Sequence, residues 1–315
     1  MPLADFFNTL AVAAPWKGIR MVHMPPHMSY SQLFEHAVVK LTKAGITHAR
    51  QEALWILEYG LGVTRLDVLT GTHGIAKGED YQRTLELIAR RASREPLQYV
   101  LGTQEFFGRE LVVRPGVLIP RQETELVVTE ALSRIRQICR PSIVDVGTGS
   151  GCLAISLAGG KPDSTVVAID RSMAALHLAR LNAVRHGFSG QIRWVHGDLL
   201  TPLLSKKTEG KVAAVVANLP YISQAEWERL PPDVKDFEPR LALYGGPDGF
   251  DAYRRLFSQA PYLLSRDGVL VIEIGLGQAP LVEEAVSKMA TLKIVNIRQD
   301  DQGIDRVVCL QVQTG

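Results

Sequence analysis

The sequence predicts an α/β protein built on a seven-stranded, mostly parallel sheet, with a small helical bundle ahead of it. Three observations carry this. From residue 142 onward, short apolar runs alternate with helix-length segments. Those runs are continuously apolar, the pattern of strands covered on both faces. Residues 29–96 instead repeat apolar side chains at helical spacing. A chain of 315 residues also suits one domain of about 200 residues plus a smaller one.

Taken in order, residues 1–28 read as an extension with no assigned function. Asp5 precedes the apolar stretch 6–14 and no basic region does, so no signal peptide is expected. A first helix follows through Tyr30, Leu33, Phe34, Ala37, Val38 and Leu41, with Gly45 as its stop. Thr47 reads as the cap of a second helix ending at Gly60, and Thr64 to Leu69 as a third. Glu79 to Arg94 reads as a fourth, stopped by Pro96. The bundle is expected over 29–96 and reads as a docking module. Residues 97–118 read as a β-hairpin linker around Phe106-Phe107-Gly108 and Leu111-Val112-Val113. The main domain is expected over 119–315. Its strands are placed at 142–147, 164–170, 191–198, 211–218 and 268–275, with 291–298 and 305–312 as a closing antiparallel pair. The link at Gly303 is too short for a parallel crossover.

Composition narrows the function. Apolar residues make up 46% and charged residues 22%, which rules out disorder as the main state. No apolar run reaches the roughly 18 residues of a membrane span, so no membrane association is expected. Residues 1–100 carry 11 basic and 9 acidic side chains and the rest 24 of each. That balance argues against a nucleic-acid partner. Cys139, Cys152 and Cys309 form no CxxC pair and suit a reducing cytoplasm. His23 and His27 are separated by Pro25 and Pro26, so no metal site is expected.

The chemistry sits at strand ends. Gly147-Thr148-Gly149-Ser150-Gly151 follows Asp145 and Val146 at a strand-to-helix turn. Its spacing is GxGxG; the third glycine of a dinucleotide motif would fall on Cys152. Asp170 ends the second strand, where a carboxylate can accept ribose hydroxyls. Asp198 ends the third, where it can meet an adenine amino group with Leu199 against the ring. Asn218-Leu219-Pro220-Tyr221 ends the fourth. Ligands of open α/β sheets bind at these carboxyl ends.

This ordered set resembles the Rossmann-like class I S-adenosylmethionine-dependent methyltransferases that act on an amide or exocyclic amino nitrogen. Residues 95–128 (EPLQYVLGTQEFFGRELVVRPGVLIPRQETELVV) and 233–256 (DVKDFEPRLALYGGPDGFDAYRRL) narrow the resemblance to the HemK/PrmC family, over roughly 29–315. It implies S-adenosylmethionine as cofactor and methylation of glutamine N5, with class 1 peptide chain release factors as partners and their GGQ glutamine as target. It also implies that the Asn218 side-chain carbonyl and the Leu219 backbone carbonyl accept the two N–H groups of the target, that Pro220 keeps the loop extended, and that Tyr221 stacks on it. Asn218 counts for both catalysis and cofactor binding.

Two positions depart from the family. Leu219 stands where proline is usual, as in ribosomal RNA adenine dimethyltransferases, and Leu199 stands where an aromatic is common. An adenine N6-methyltransferase acting on RNA or DNA, and a glutamine of another protein such as a ribosomal protein, therefore stay open. A non-catalytic scaffold and a nicotinamide dehydrogenase fit the residues less well. Arg121, Glu123, Thr124, Glu125 and Glu238 read as near the site or as helix-start residues. Phe106 and Phe107 read as core, Glu273 as a satisfied buried acid, and Trp194 and Trp227 as packing.

Overall fold

The computed structural model describes residues 27–70 and 74–313. Two compact units divide between Ile88 and Ala89. The 1–28 extension lies outside the described residues except for His27 and Met28, which open a short strand.

The first unit packs four helices, Tyr30–Lys43, Ala49–Leu61, Arg65–Thr70 and the start of Gly78–Ala92. Its core is Leu33, Phe34, Ala37 and Leu41 with Leu54, Ile56, Leu57, Tyr81 and Ile88. Ser29 and Gln32 form a capping box on the first helix. Thr47 does not cap the second; His48 holds that position without a side-chain bond. Gly60 does not end it either. A Cβ there would lie 2.4 Å from Thr84 Oγ1, so this glycine permits close helix packing, and Gly62 at φ +67° makes the left-handed cap. The sequence pattern missed the antiparallel pair β1 (His27–Ser29) and β2 (Ile75–Lys77), each only three residues long.

The unit boundary falls inside helix Gly78–Ala92, ahead of the expected position at 96. Arg90 explains the shift: its guanidinium binds the Glu95 carboxylate and the Tyr99 carbonyl, 3.0 Å away. The 97–118 segment is not hairpin throughout. Leu97–Leu101 is helical because Leu97, Tyr99 and Val100 are all buried, and Gly102 at φ +81° stops it. The hairpin is β3 (Thr103–Phe106) with β4 (Arg109–Val112), turning at Phe107 and Gly108, both with positive φ.

The second unit carries the seven-stranded sheet. Its strands are β5 (Ser142–Val146), β6 (Thr165–Asp170), β7 (Ile192–His196), β8 (Val212–Ala217), β9 (Leu264–Glu273), β10 (Leu292–Gln299) and β11 (Asp305–Val312). Their order is β10-β11-β9-β8-β5-β6-β7. β11 runs antiparallel between β9 and β10, which realises the expected closing pair. Phe250, Tyr253, Leu256, Phe257 and Val282 belong to one buried cluster against the sheet, and Val127, Ala131, Leu153, Ile155 and Leu157 to a second. The strand order reverses direction at β5, between β6 and β8. The turns after β5, β6, β7 and β8 therefore open onto one crevice.

Candidate active site

The crevice is lined by all four strand-end turns and by Pro120, Arg121 and Thr124. One wall is made mostly by backbone. Gly147 and Thr148 donate their N–H groups to Ile169 O at 2.9 and 3.0 Å, folding the glycine turn over the end of β6. Gly147, at φ +74°, faces Leu219: a Cβ there would lie 3.1 Å from Leu219 Cδ2. Asn182, fully buried, ties the Ser150 carbonyl to both main-chain groups of Val112. Asp145 supports the turn from below. Its Oδ2 accepts Thr148 Oγ1 at 2.6 Å and Ala154 N–H at 3.1 Å, while its Oδ1 has no partner among the described residues. Burial pushes its carboxyl up to about 7.

Asp170 stands at the end of β6 as expected. Its two oxygens accept Gly149 N–H at 2.9 Å and Ser172 N–H at 2.8 Å, which fixes the carboxylate plane and leaves other lone pairs for a ligand. Burial raises its pKa. Asp198 is paired with the guanidinium of Arg255, a residue that sequence reasoning did not single out. Both are about half exposed at the crevice mouth, and Leu199 beside them is buried in the left-handed region at φ +50°. Such a backbone is strained for leucine and directs its side chain into the core that backs the crevice.

The opposite wall is made by side chains converging on one carboxylate. Glu273, 1% exposed at the end of β9, accepts Thr124 Oγ1 at 2.5 Å and Asn218 Nδ2 at 2.9 Å on Oε2, and Tyr221 Oη at 3.2 Å on Oε1. Asn218 Nδ2 also donates to Thr124 Oγ1 at 3.0 Å. The Asn218 amide nitrogen therefore faces the Thr124–Glu273 pair, and its Oδ1 has no hydrogen-bond partner among the described residues. The reverse amide orientation would set Oδ1 against the carboxylate. Burial raises the Glu273 carboxyl to about 7, against the opposing pull of its hydrogen-bond donors and of Arg306. Burial likewise pushes the Tyr221 phenol above its ordinary range. Leu219 donates its N–H to Tyr253 Oη at 3.1 Å, and its carbonyl lies 3.2 Å from the same oxygen. Pro220 lines the crevice beside them, while Tyr221 lines a smaller side pocket with Leu118, Arg121 and Leu243. Arg121 is held by buried Glu238, which also accepts Ile119 N–H at 3.2 Å.

Gly147 to Ser150, with Asp170, Asp198, Leu199 and the Asn218–Pro220 stretch, line one crevice; Gly151 does not, because it packs behind the turn against Ala179 and Ile155. Glu273 is the satisfied acid that the sequence suggested, but its donors were not foreseen. Its isolation as the one acid in an apolar run is the signal that marks it. Tyr253 gave no signal, because it sits in an ordinary apolar helix face.

Residues 32–102 match the PrmC N-terminal domain family and residues 124–230 the Methyltransferase small domain family. A release factor glutamine methyltransferase of Geobacter sulfurreducens is 41% identical over 268 residues, 85% of this chain and 91% of its own. That of Moorella thermoacetica is 40% identical over 279 residues, 89% of this chain and 97% of its own. Among solved structures, the hMettl16 catalytic domain in complex with MAT2A 3'UTR hairpin 6 aligns with a TM-score of 0.52 at 14% identity, over 74% of this chain and 81% of that one. That likeness is one of fold, the class I S-adenosylmethionine-dependent methyltransferase fold. Matches in both units, with identity carried across nearly the whole chain, place it: the chain belongs to the release factor glutamine methyltransferase family.

Proposed function

We propose that this protein transfers a methyl group from S-adenosylmethionine to the side-chain N5 of the GGQ glutamine of class 1 peptide chain release factors, in the cytoplasm. The observation that carries the reading is the Asn218 amide, whose nitrogen is held by Thr124 and Glu273 and whose carbonyl is left for the target.

The crevice fits the cofactor. The glycine turn leaves little room for a Cβ at Gly147, Asp170 is held as a carboxylate beside it, and Leu199 and Asp198 close the far end. Gly147 to Ser150 with Asp170, Asp198, Leu199 and Asn218 would hold S-adenosylmethionine, with Gly151 packing the turn onto Ala179 behind them. Bound there, it supplies an electrophilic methyl group.

The protein's own residues act on the target nitrogen. A glutamine amide nitrogen is a weak nucleophile because its lone pair is delocalised into the carbonyl. Asn218 Oδ1 accepts one of its N–H groups. The Leu219 carbonyl, which keeps a lone pair beyond its contact with Tyr253, accepts the other. Two fixed acceptors favour a pyramidal nitrogen and stabilise the positive charge that develops on it. Glu273 and Thr124 keep the acceptor in place, so little reorganisation is needed during transfer. Tyr221 gives the side pocket an aromatic wall for the planar amide. The proton then leaves the methylated nitrogen to water.

The Leu219 side chain is the feature that favours an adenine target. The near balance of charge disfavours it, with a net charge of +2. Peptide mass spectrometry after incubation with S-adenosylmethionine decides between them, with a class 1 release factor, ribosomal RNA and ribosomal protein offered in parallel. The expected result is a single added methyl on the GGQ glutamine. Methylated adenine alone would overturn the proposal, and a methyl confined to a ribosomal protein would replace the substrate.

A further inference from the structure

Tyr253 is fully buried on the helix Asp251–Leu263, with its ring 5.3 Å from that of Phe250 and 6.4 Å from that of Phe257. Its hydroxyl nonetheless touches the loop after β8. It accepts Leu219 N–H at 3.1 Å, stands 3.2 Å from the Leu219 carbonyl, and donates its proton to the main-chain carbonyl of Glu273. One oxygen therefore ties residue 219 to the strand that carries Glu273. We infer that Tyr253 is a positioning residue for methyl transfer, whose hydroxyl holds the Leu219 backbone so that the Asn218 amide and the Leu219 carbonyl keep their direction.

The need follows from the residue at 219. Leucine has an N–H that must be satisfied when buried, and its φ is not locked by a ring. Leu219 is 4% exposed, and its N–H finds Tyr253 as acceptor. A proline at this position would carry no N–H and would fix φ itself. The hydroxyl should then matter much less. Burial raises the phenol pKa well above its ordinary range, so the group stays protonated and can donate and accept at once.

The inference rests on the reading of Asn218–Tyr221 as the transfer loop. The test compares Tyr253→Phe, Leu219→Pro and the double variant. The readouts are methyl transfer to a class 1 release factor at saturating cofactor, calorimetric affinity for S-adenosylhomocysteine, and hydrogen exchange at the Leu219 amide. Tyr253→Phe keeps the ring and removes one oxygen. In the native background it should lower kcat about tenfold and raise Leu219 exchange at least about tenfold, with cofactor affinity within about twofold. In the Leu219→Pro background the same change should lower kcat by less than about threefold. Equal losses in both backgrounds, or Leu219 exchange unaltered by Tyr253→Phe, would overturn the inference. If Leu219→Pro fails to bind S-adenosylhomocysteine, the exchange result decides alone. If the wild-type protein methylates no release factor, the functional reading falls, while exchange still judges the role of Tyr253.

Discussion

The two walls of the crevice are built in different ways. The cofactor wall is a set of turns: glycine backbone folded over β6, with Asp170 clamped by two main-chain N–H groups. The transfer wall is a set of side chains, Thr124, Asn218 and Tyr221, all donating to buried Glu273. The first wall needs particular φ angles, the second a particular charge. Damage to one should appear mainly in binding, and damage to the other mainly in turnover.

The largest effect is expected at Asn218. Asn218→Ala should lower kcat by about 10³-fold while calorimetry finds affinity for S-adenosylhomocysteine within about threefold of normal. An undiminished rate would remove Asn218 from the mechanism.

Glu273 sharpens the comparison. Glu273→Gln places an amide N–H among three donors and should lower kcat about 10²-fold, with cofactor affinity kept. Its pH dependence has a definite sign. The carboxylate form accepts all three donors, so kcat should rise with pH through about 7, to which burial raises the Glu273 carboxyl. Stability runs the other way: a carboxyl raised in the folded state costs stability as pH climbs from the ordinary carboxylate range to about 7. Asp145 shares that window, so Glu273→Gln should weaken the stability slope without abolishing it. The rate profile is the cleaner readout, and an acid limb unchanged in the variant would contradict this role.

Asp170→Ala addresses the opposite wall. It should raise the dissociation constant of S-adenosylhomocysteine about 10- to 100-fold and leave kcat at saturating cofactor nearly intact. Normal affinity would break the ribose assignment. The smallest effect is expected at Arg255, whose pair with Asp198 is about half exposed. Arg255→Ala should shift cofactor affinity less than about fivefold, and less still at high salt.

The same contrast explains what the sequence could tell. The seven strands, their direction and the strand-end positions of Asp170, Asp198 and Asn218 are legible because apolar runs and glycine turns are local signals. The Glu273 network joins residues 124, 218, 221 and 273, and no local pattern reports such a convergence. Nor can the three-residue strands β1 and β2 be read, since a run that short has no period. Gly60 misleads for a related reason: a glycine that permits close helix packing looks in sequence like one that ends a helix. Leu97–Leu101 resembles the start of a hairpin in sequence because five apolar-rich residues fit either element.

The most direct test of the transfer wall is a crystal structure with S-adenosylhomocysteine and a release-factor segment carrying the GGQ glutamine. The expected result places Asn218 Oδ1 and the Leu219 carbonyl each about 3 Å from the target nitrogen, with Asn218 Nδ2 still on Glu273. A target amide seated elsewhere, or Asn218 turned so that its Nδ2 faces the target, would contradict it.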